Sequence, residues 1–200
     1  MIVTYYGASC FKVQAGETVL AFNPPSKESD FKSPRFAADA VFISNENKDN
    51  NGRDNLAGKE EGKGPIVIDG SGEYEIKGVY IKGIKSSGLP AQGGNTIYRM
   101  KFEDIILCHL GNFAEKKLAP EIKEAVGSVD ILFAPAGSGE IANQLEPKIA
   151  IPMDYKNNSE IKKFADEFGN GASKPVDKLT IKKKDLIDDE IKVVVLEPMI

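Results

Sequence analysis

A single histidine, His109, stands in 200 residues. Zinc sites draw three or four ligands from imidazole, thiolate and carboxylate groups, so one histidine cannot build such a site alone. Cysteine is nearly as scarce. Cys10 and Cys108 are too few for a disulfide framework, and both lie in apolar, strand-like runs, where they read as buried free thiols. No apolar run approaches the roughly 18 residues of a membrane span. The opening MIVTYYGASCF has no basic stretch followed by an apolar one, so no signal peptide is expected and a cytoplasmic location is the default. An excess of positive charge is missing too. Lys and Arg number 26 against 30 Asp and Glu, and the formal net charge of −4 argues against a nucleic-acid partner. The one basic run, residues 178–184 (KLTIKKK), is followed at once by Asp185, Asp188, Asp189 and Glu190, which cancel its field. No Gly-x-Ser-x-Gly elbow occurs, and Gly70, Gly72, Gly93 and Gly94 lack the strand–glycine–helix order of a phosphate cradle.

What remains is an ordinary globular composition, 41% hydrophobic and 28% charged, over a length that suits one domain spanning 1–200. Short β-rich runs at 2–6, 10–13 and 18–22 predict a meander, stopped by Asn23-Pro24-Pro25 because proline cannot donate to a ladder. Residues 40–44 (AVFIS) read as a strand buried on both faces, and the polar stretch 45–64 as a long loop with room for one helical turn. Strands are expected at 66–69 and, as a hairpin around Gly78, at 73–84. A second hairpin is expected at 96–102 and 105–110, across Glu103-Asp104. The second half alternates helical spacing (118–126, 141–145, 160–168) with strands (129–134, 148–152, 177–181, 191–196). This order predicts an α/β fold of two sheets packed face to face with helices outside.

Four strand ends carry the polar residues: Gly7-Ala8-Ser9-Cys10-Phe11, Ser44-Asn45-Glu46-Asn47-Lys48-Asp49-Asn50, His109-Leu110-Gly111-Asn112 and Pro152-Met153-Asp154-Tyr155. With GSGEYEIKG (residues 70–78), their order and spacing resemble the metallo-β-lactamase fold superfamily, in particular a short bacterial branch related to ascorbate-phosphate lactonases. The resemblance covers nearly the whole chain. It implies an αββα sandwich of two mixed β-sheets with helices on the outer faces, and, in relatives, a zinc-dependent hydrolase. The departures fall on the ligands. Where the resemblance implies loop histidines, this chain has Asn45, Asn47 and Asn50; where it implies a bridging aspartate, Asn112. The last histidine falls on Asp154 and the early one on Ala8, while Asp49 keeps its aspartate. The resemblance also implies a shortened loop between Pro135 and Ile141, on the active-site side.

Amide oxygens are poor donors to zinc, and without a metal no water is activated near neutral pH. No zinc or other cofactor is therefore expected, nor confident catalytic residues. The vestigial site is Asn45, Asn47, Asp49, Asn50, His109, Asn112 and Asp154. The leading expectation is a catalytically inactive homologue kept for binding or assembly, which a homo-oligomer would suit. One alternative is a metal-dependent hydrolase working through Asp49, Asp154 and His109; separately, Asp49, Glu46 and Asp154 offer an oxygen-rich site for magnesium, manganese or calcium. The other is a metal-free binder of polar small molecules, its pocket lined by the asparagines.

Overall fold

Strict alternation shapes the first hairpin of the computed structural model, which describes residues 1–87, 94–115, 117–169, 171–186 and 191–199. Strand β1 (Ile2–Tyr5) pairs antiparallel with β2 (Phe11–Ala15), which pairs with β3 (Thr18–Phe22). Phe11, Val13 and Ala15 are buried while Lys12 and Gln14 between them are half-buried, as the period of two in a strand requires. Asn23-Pro24-Pro25 ends the meander, and the sheet continues in parallel through β5 (Ala40–Phe42) and β7 (Ile66–Ile68). A minimal ribbon pairs β4 (Ala37–Ala38) with β6 (Ala57–Gly58). The stretch 45–64 therefore holds a two-residue strand and no helix among its residues.

The second sheet begins with β8 (Gly72–Ile76) and β9 (Val79–Ser86), then β10 (Asn95–Phe102) and β11 (Ile105–His109). It turns parallel through β12 (Ile131–Pro135), β13 (Ile149–Met153) and β15 (Lys192–Val193). Near the C-terminus, β14 (Lys178–Thr180) returns to pair with β1, completing the first sheet in the order β14-β1-β2-β3-β5-β7. The second runs β15-β13-β12-β11-β10-β9-β8. Both sheets are mixed, as expected.

Between them lies the largest core, with Phe11, Phe22, Phe42, Tyr98, Phe133 and Met153 in one cluster. The Tyr98 hydroxyl crosses from the second sheet to the first and donates to the carbonyls of Ile43 (2.8 Å) and Ile68 (3.0 Å). That pair of bonds fixes the spacing of the two layers where β5 ends and its loop begins. A second core lies beneath the helices α1 (Pro120–Val126), α2 (Gly139–Gln144) and α3 (Asn158–Asp166), which put Val126, Ile141 and Phe164 against the second sheet. The outer face of the first sheet is different. Its small cluster, Val19, Ala21, Val41 and Ile43, is covered by Phe36, Ala38 and Leu56 from loop segments. Helices thus flank one sheet among the described residues, and polypeptide without helical pattern flanks the other. Residues 45–64 are too rich in Asn, Gly and charge to supply an apolar helical stripe.

Glu73 and Glu75 share a solvated strand face, where Glu73 sits opposite Lys82. Lys77 occupies the turn that follows, with φ of 50°, and reaches Asp39 at 2.6 Å. Gly93 and the acids Asp188, Asp189 and Glu190 lie outside the described residues.

Candidate functional site

Four loops meet at one end of the sandwich, past the C-terminal ends of β5, β11 and β13, where open α/β sheets place their ligands. Backbone bonds draw them together. The Asp154 N–H donates to the Ala8 carbonyl at 2.7 Å, joining the loop after β13 to the one after β1. Thr96 N–H donates to Ser44 O at 2.8 Å, and Asn112 N–H to Asn95 Oδ1 at 2.8 Å, joining the loops after β5 and β11 through the start of β10. Ala8, Asn23 and Asp154 have φ values of 49°, 43° and 54°, a left-handed region that is uncommon away from glycine. Three such residues on loops that meet are a concentration of strain of the kind found at functional sites.

Gly111 is required by both geometry and contact. Its φ is 62°, and a β-carbon there would fall 2.7 Å from Ser44 Cβ and 2.8 Å from Ser44 Oγ, and into Asn95 Oδ1. Gly111→Ala should therefore destabilise the protein by about 2–4 kcal/mol in urea unfolding. Gly137→Ala, where a β-carbon meets nothing within 4 Å, should stay within about 0.5 kcal/mol of wild type. Equal effects would show that the junction of these loops is not tightly packed.

The asparagines form a directed hydrogen-bond chain. Ser44 N–H donates to Asn23 Oδ1 at 2.8 Å, so the Asn23 amide must turn its Nδ2 to Ser9 Oγ, at 3.1 Å. Ser9 then sends its own proton to Asn50 Oδ1 at 2.7 Å, and Asn50 Nδ2 donates to Asn45 Oδ1 at 3.1 Å. The Asn47 N–H also donates to Asn45 Oδ1, at 3.0 Å. Backbone N–H groups can only donate, so the two ends of the chain fix the orientation of every amide between them. The consequence falls on Asn45. Its oxygen is taken twice, and its Nδ2, buried, has no hydrogen-bond partner among the described residues. Ser44 Oγ beside it is in the same condition.

The other expected site residues divide. Asn47 and Asp49 are half-buried. Asn47 Oδ1 accepts from Asp49 N–H at 3.0 Å, and Asp49 Oδ1 accepts from Ser29 at 2.6 Å. Asp154 keeps a solvent-exposed surface, yet crowding by protein, and next the charge of Asp49, push its carboxyl above the usual range. Glu46 does not join them: it is exposed and pairs with Arg53.

His109 lies beneath the site, not in it. The ring is fully buried, stacked at 5.0 Å on Phe22 and edge-on to Phe11. Nδ1 accepts from Gly111 N–H at 3.0 Å, which places the proton on Nε2, 3.0 Å from the carbonyl of Ser9. Both nitrogens are engaged, and burial lowers the pKa to about 4. With both ring nitrogens bonded, His109 turns no free lone pair toward the loops. Among the described residues no three His, Cys, Asp or Glu side chains converge as a metal-binding group. Both cysteines are free and buried, with burial pushing the Cys108 thiol up to about 12 and Cys10 higher still.

Asn23 and Asn95 are members the sequence did not single out, and Ser9 stood in a marked strand end with no role of its own. Each is a polar residue abutting a buried strand end, and that position was the available signal. Asn23 in addition precedes two prolines and belongs to the residue types that tolerate positive φ.

The chain belongs to the metallo-β-lactamase superfamily: the sequence pattern of the Beta-lactamase superfamily domain matches residues 2–154. It is similar to a proposed Zn-dependent hydrolase of that superfamily from Thermotoga maritima, with 27% identity and a TM-score of 0.77 over 98% of this chain and 99% of that one. A proposed metal-dependent hydrolase from Parabacteroides distasonis is 15% identical, with a TM-score of 0.64 over 96% and 91%. Igni18, a metallo hydrolase from Ignicoccus hospitalis, is 18% identical, with a TM-score of 0.60 over 98% and 95%. At the two lower identities the likeness is one of fold. No curated protein matches the chain. Among the described residues no helix is long and apolar enough to cross a membrane.

Proposed function

We propose that this chain is a non-catalytic member of the metallo-β-lactamase superfamily, one domain over residues 1–200, in which the zinc site has become a hydrogen-bonded polar junction kept for binding or assembly. One observation carries the reading. The directed amide chain leaves Asn45 presenting an N–H where the family pattern has an imidazole lone pair. A metal ion needs an electron pair at that point, and an N–H donor offers a partial positive charge. Asn50 is withdrawn in the same way, with its oxygen held by Ser9 and its nitrogen by Asn45. The donors present do not fit zinc. Two acids remain, Asp49 and Asp154, and one oxygen of Asp49 is already bonded to Ser29. The placement within the branch related to ascorbate-phosphate lactonases rests on the sequence motifs.

A remodelled hydrolase around Asp49, Asp154 and His109 is the weaker reading, because the engaged nitrogens of His109 leave it two carboxylates. A metal-free binder of polar small molecules keeps one specific support: the unpaired Asn45 Nδ2, a buried donor suited to a carbonyl or other acceptor oxygen. Titration with zinc in the presence of a chelating dye tests the main reading. The chain should withdraw no zinc from a dye of roughly micromolar affinity; withdrawal of one or two equivalents would contradict it.

A further inference from the structure

On the same side of the molecule, the loop after β3 and the loop after β5 are sewn together and line an open cleft of about 700 Å³. That is within the size of ordinary small-molecule pockets. Asn55 Nδ2 donates to Pro25 O at 2.6 Å and to Ser33 Oγ at 3.0 Å, and Gly52 N–H donates to Pro24 O at 2.8 Å. A β-carbon on Gly52 would collide with the backbone of both prolines, so the two loops are in direct backbone contact. The wall they make is therefore built. Tyr6 closes another side, held at 5.1 Å from the ring of Phe36.

The charge on the lining is unbalanced. Lys27, Lys32 and Arg35 line the cavity against a single acid, Asp54, in a chain whose net charge is −4. None of the three cations has a carboxylate within 4 Å among the described residues. Of the acids on these two loops, Asp30 pairs with Lys48 and Glu46 with Arg53, while Glu28, next to Lys27 in the chain, forms no ion pair with the three cations. Tyr6 adds a phenol whose pKa burial raises, so it stays protonated and able to donate. Three exposed cations without carboxylate partners and a phenol around one cleft match the charge-assisted bonding that oxyanions require.

We infer that this cavity is a binding site for a small, multiply charged oxyanion, a metabolite bearing phosphate or several carboxylates, held by Lys27, Lys32 and Arg35. The site is distinct from the asparagine junction and needs no metal. It stands whether or not the vestigial centre binds zinc.

Calorimetric titration of the full chain with inorganic pyrophosphate and, separately, citrate, at matched ionic strength, tests it. Binding of pyrophosphate alone assigns a phosphate group, binding of citrate alone a carboxylate group, and binding of both the shared oxyanion chemistry. Lys32→Ala and Arg35→Ala should each weaken binding roughly tenfold. Lys184→Ala removes the same charge beyond the Met1 end of β1, opposite Tyr6, and should leave binding unchanged. No binding of either probe at millimolar concentration would overturn the inference. So would a loss in the Lys184→Ala protein equal to that in the Arg35→Ala protein, which would mark diffuse charge and not a site.

Discussion

Replacing Asn45, Asn47 and Asn50 by histidine, Asn112 by aspartate and Asp154 by histidine should create zinc binding at least about a thousandfold tighter than in wild type, roughly 4 kcal/mol. The reasoning has two parts. The loops that would carry these groups already converge, through Asp154 N–H to Ala8 O and Asn112 N–H to Asn95 Oδ1. Gly111 still gives the loop after β11 its close approach to Ser44. The frame is therefore present, and the donor type is what has changed. Without metal the same variant should be less stable than wild type by several kcal/mol, because Ser9, Asn23 and Ser44 N–H lose the chain of partners that Asn50 and Asn45 complete. Zinc should then raise its unfolding midpoint, and leave that of wild type unmoved. A variant that folds but takes up no zinc would show that the loops have moved apart.

The second large effect concerns His109 and acid. Burial holds the ring neutral, with its pKa lowered from 6.5 to about 4. Between those values the unfolded chain binds a proton that the folded chain refuses, so stability increases with pH across that window. It is complete above pH 6.5 and falls as the solution is acidified toward pH 4, by about 3 kcal/mol from this residue. His109→Gln removes the titration. The variant should be less stable at pH 7 by about 3 kcal/mol, through loss of the bonds to Gly111 and Ser9 and of the stack on Phe22. The loss of stability between pH 6.5 and 4 that His109 causes should be absent from it, leaving only the opposite and smaller trend of the raised Asp154 carboxyl. Urea unfolding at several pH values measures both, and an unchanged slope in the variant would assign the acid sensitivity elsewhere. Asp39 and Asp130 do not mimic the effect. Burial pushes both carboxyls up, but their lysine and backbone hydrogen bonds win and leave both below 3.8, so their contribution is lost at lower pH.

Much of this architecture was legible because it is written in short-range pattern. Alternation in residues 11–15, the prolines after Asn23 and the Glu103-Asp104 turn each act within a few residues, and each strand appears where that signal lies. That helices flank only the second sheet among the described residues was less legible. Face-to-face packing demands a cover on each outer face, and nothing local says whether a helix or a loop provides it; Phe36, Ala38 and Leu56 do so here. The site divides in the same way. Motif order brought the four loops together correctly. It could not supply the partner of His109, because a bond to Ser9 across 100 positions is a property of the packed fold. Nor could it foresee that Asn23 and Ser9, outside the motif's ligand positions, orient the amides that stand at them.

The central claim is that hydrogen-bond donors stand where a transition metal would need electron pairs. Elemental analysis of the chain, purified with neither added metal nor chelator, tests it most directly. The account predicts less than about a tenth of an equivalent of zinc, iron or manganese per chain; one or two equivalents, the loading of an intact centre, would contradict it.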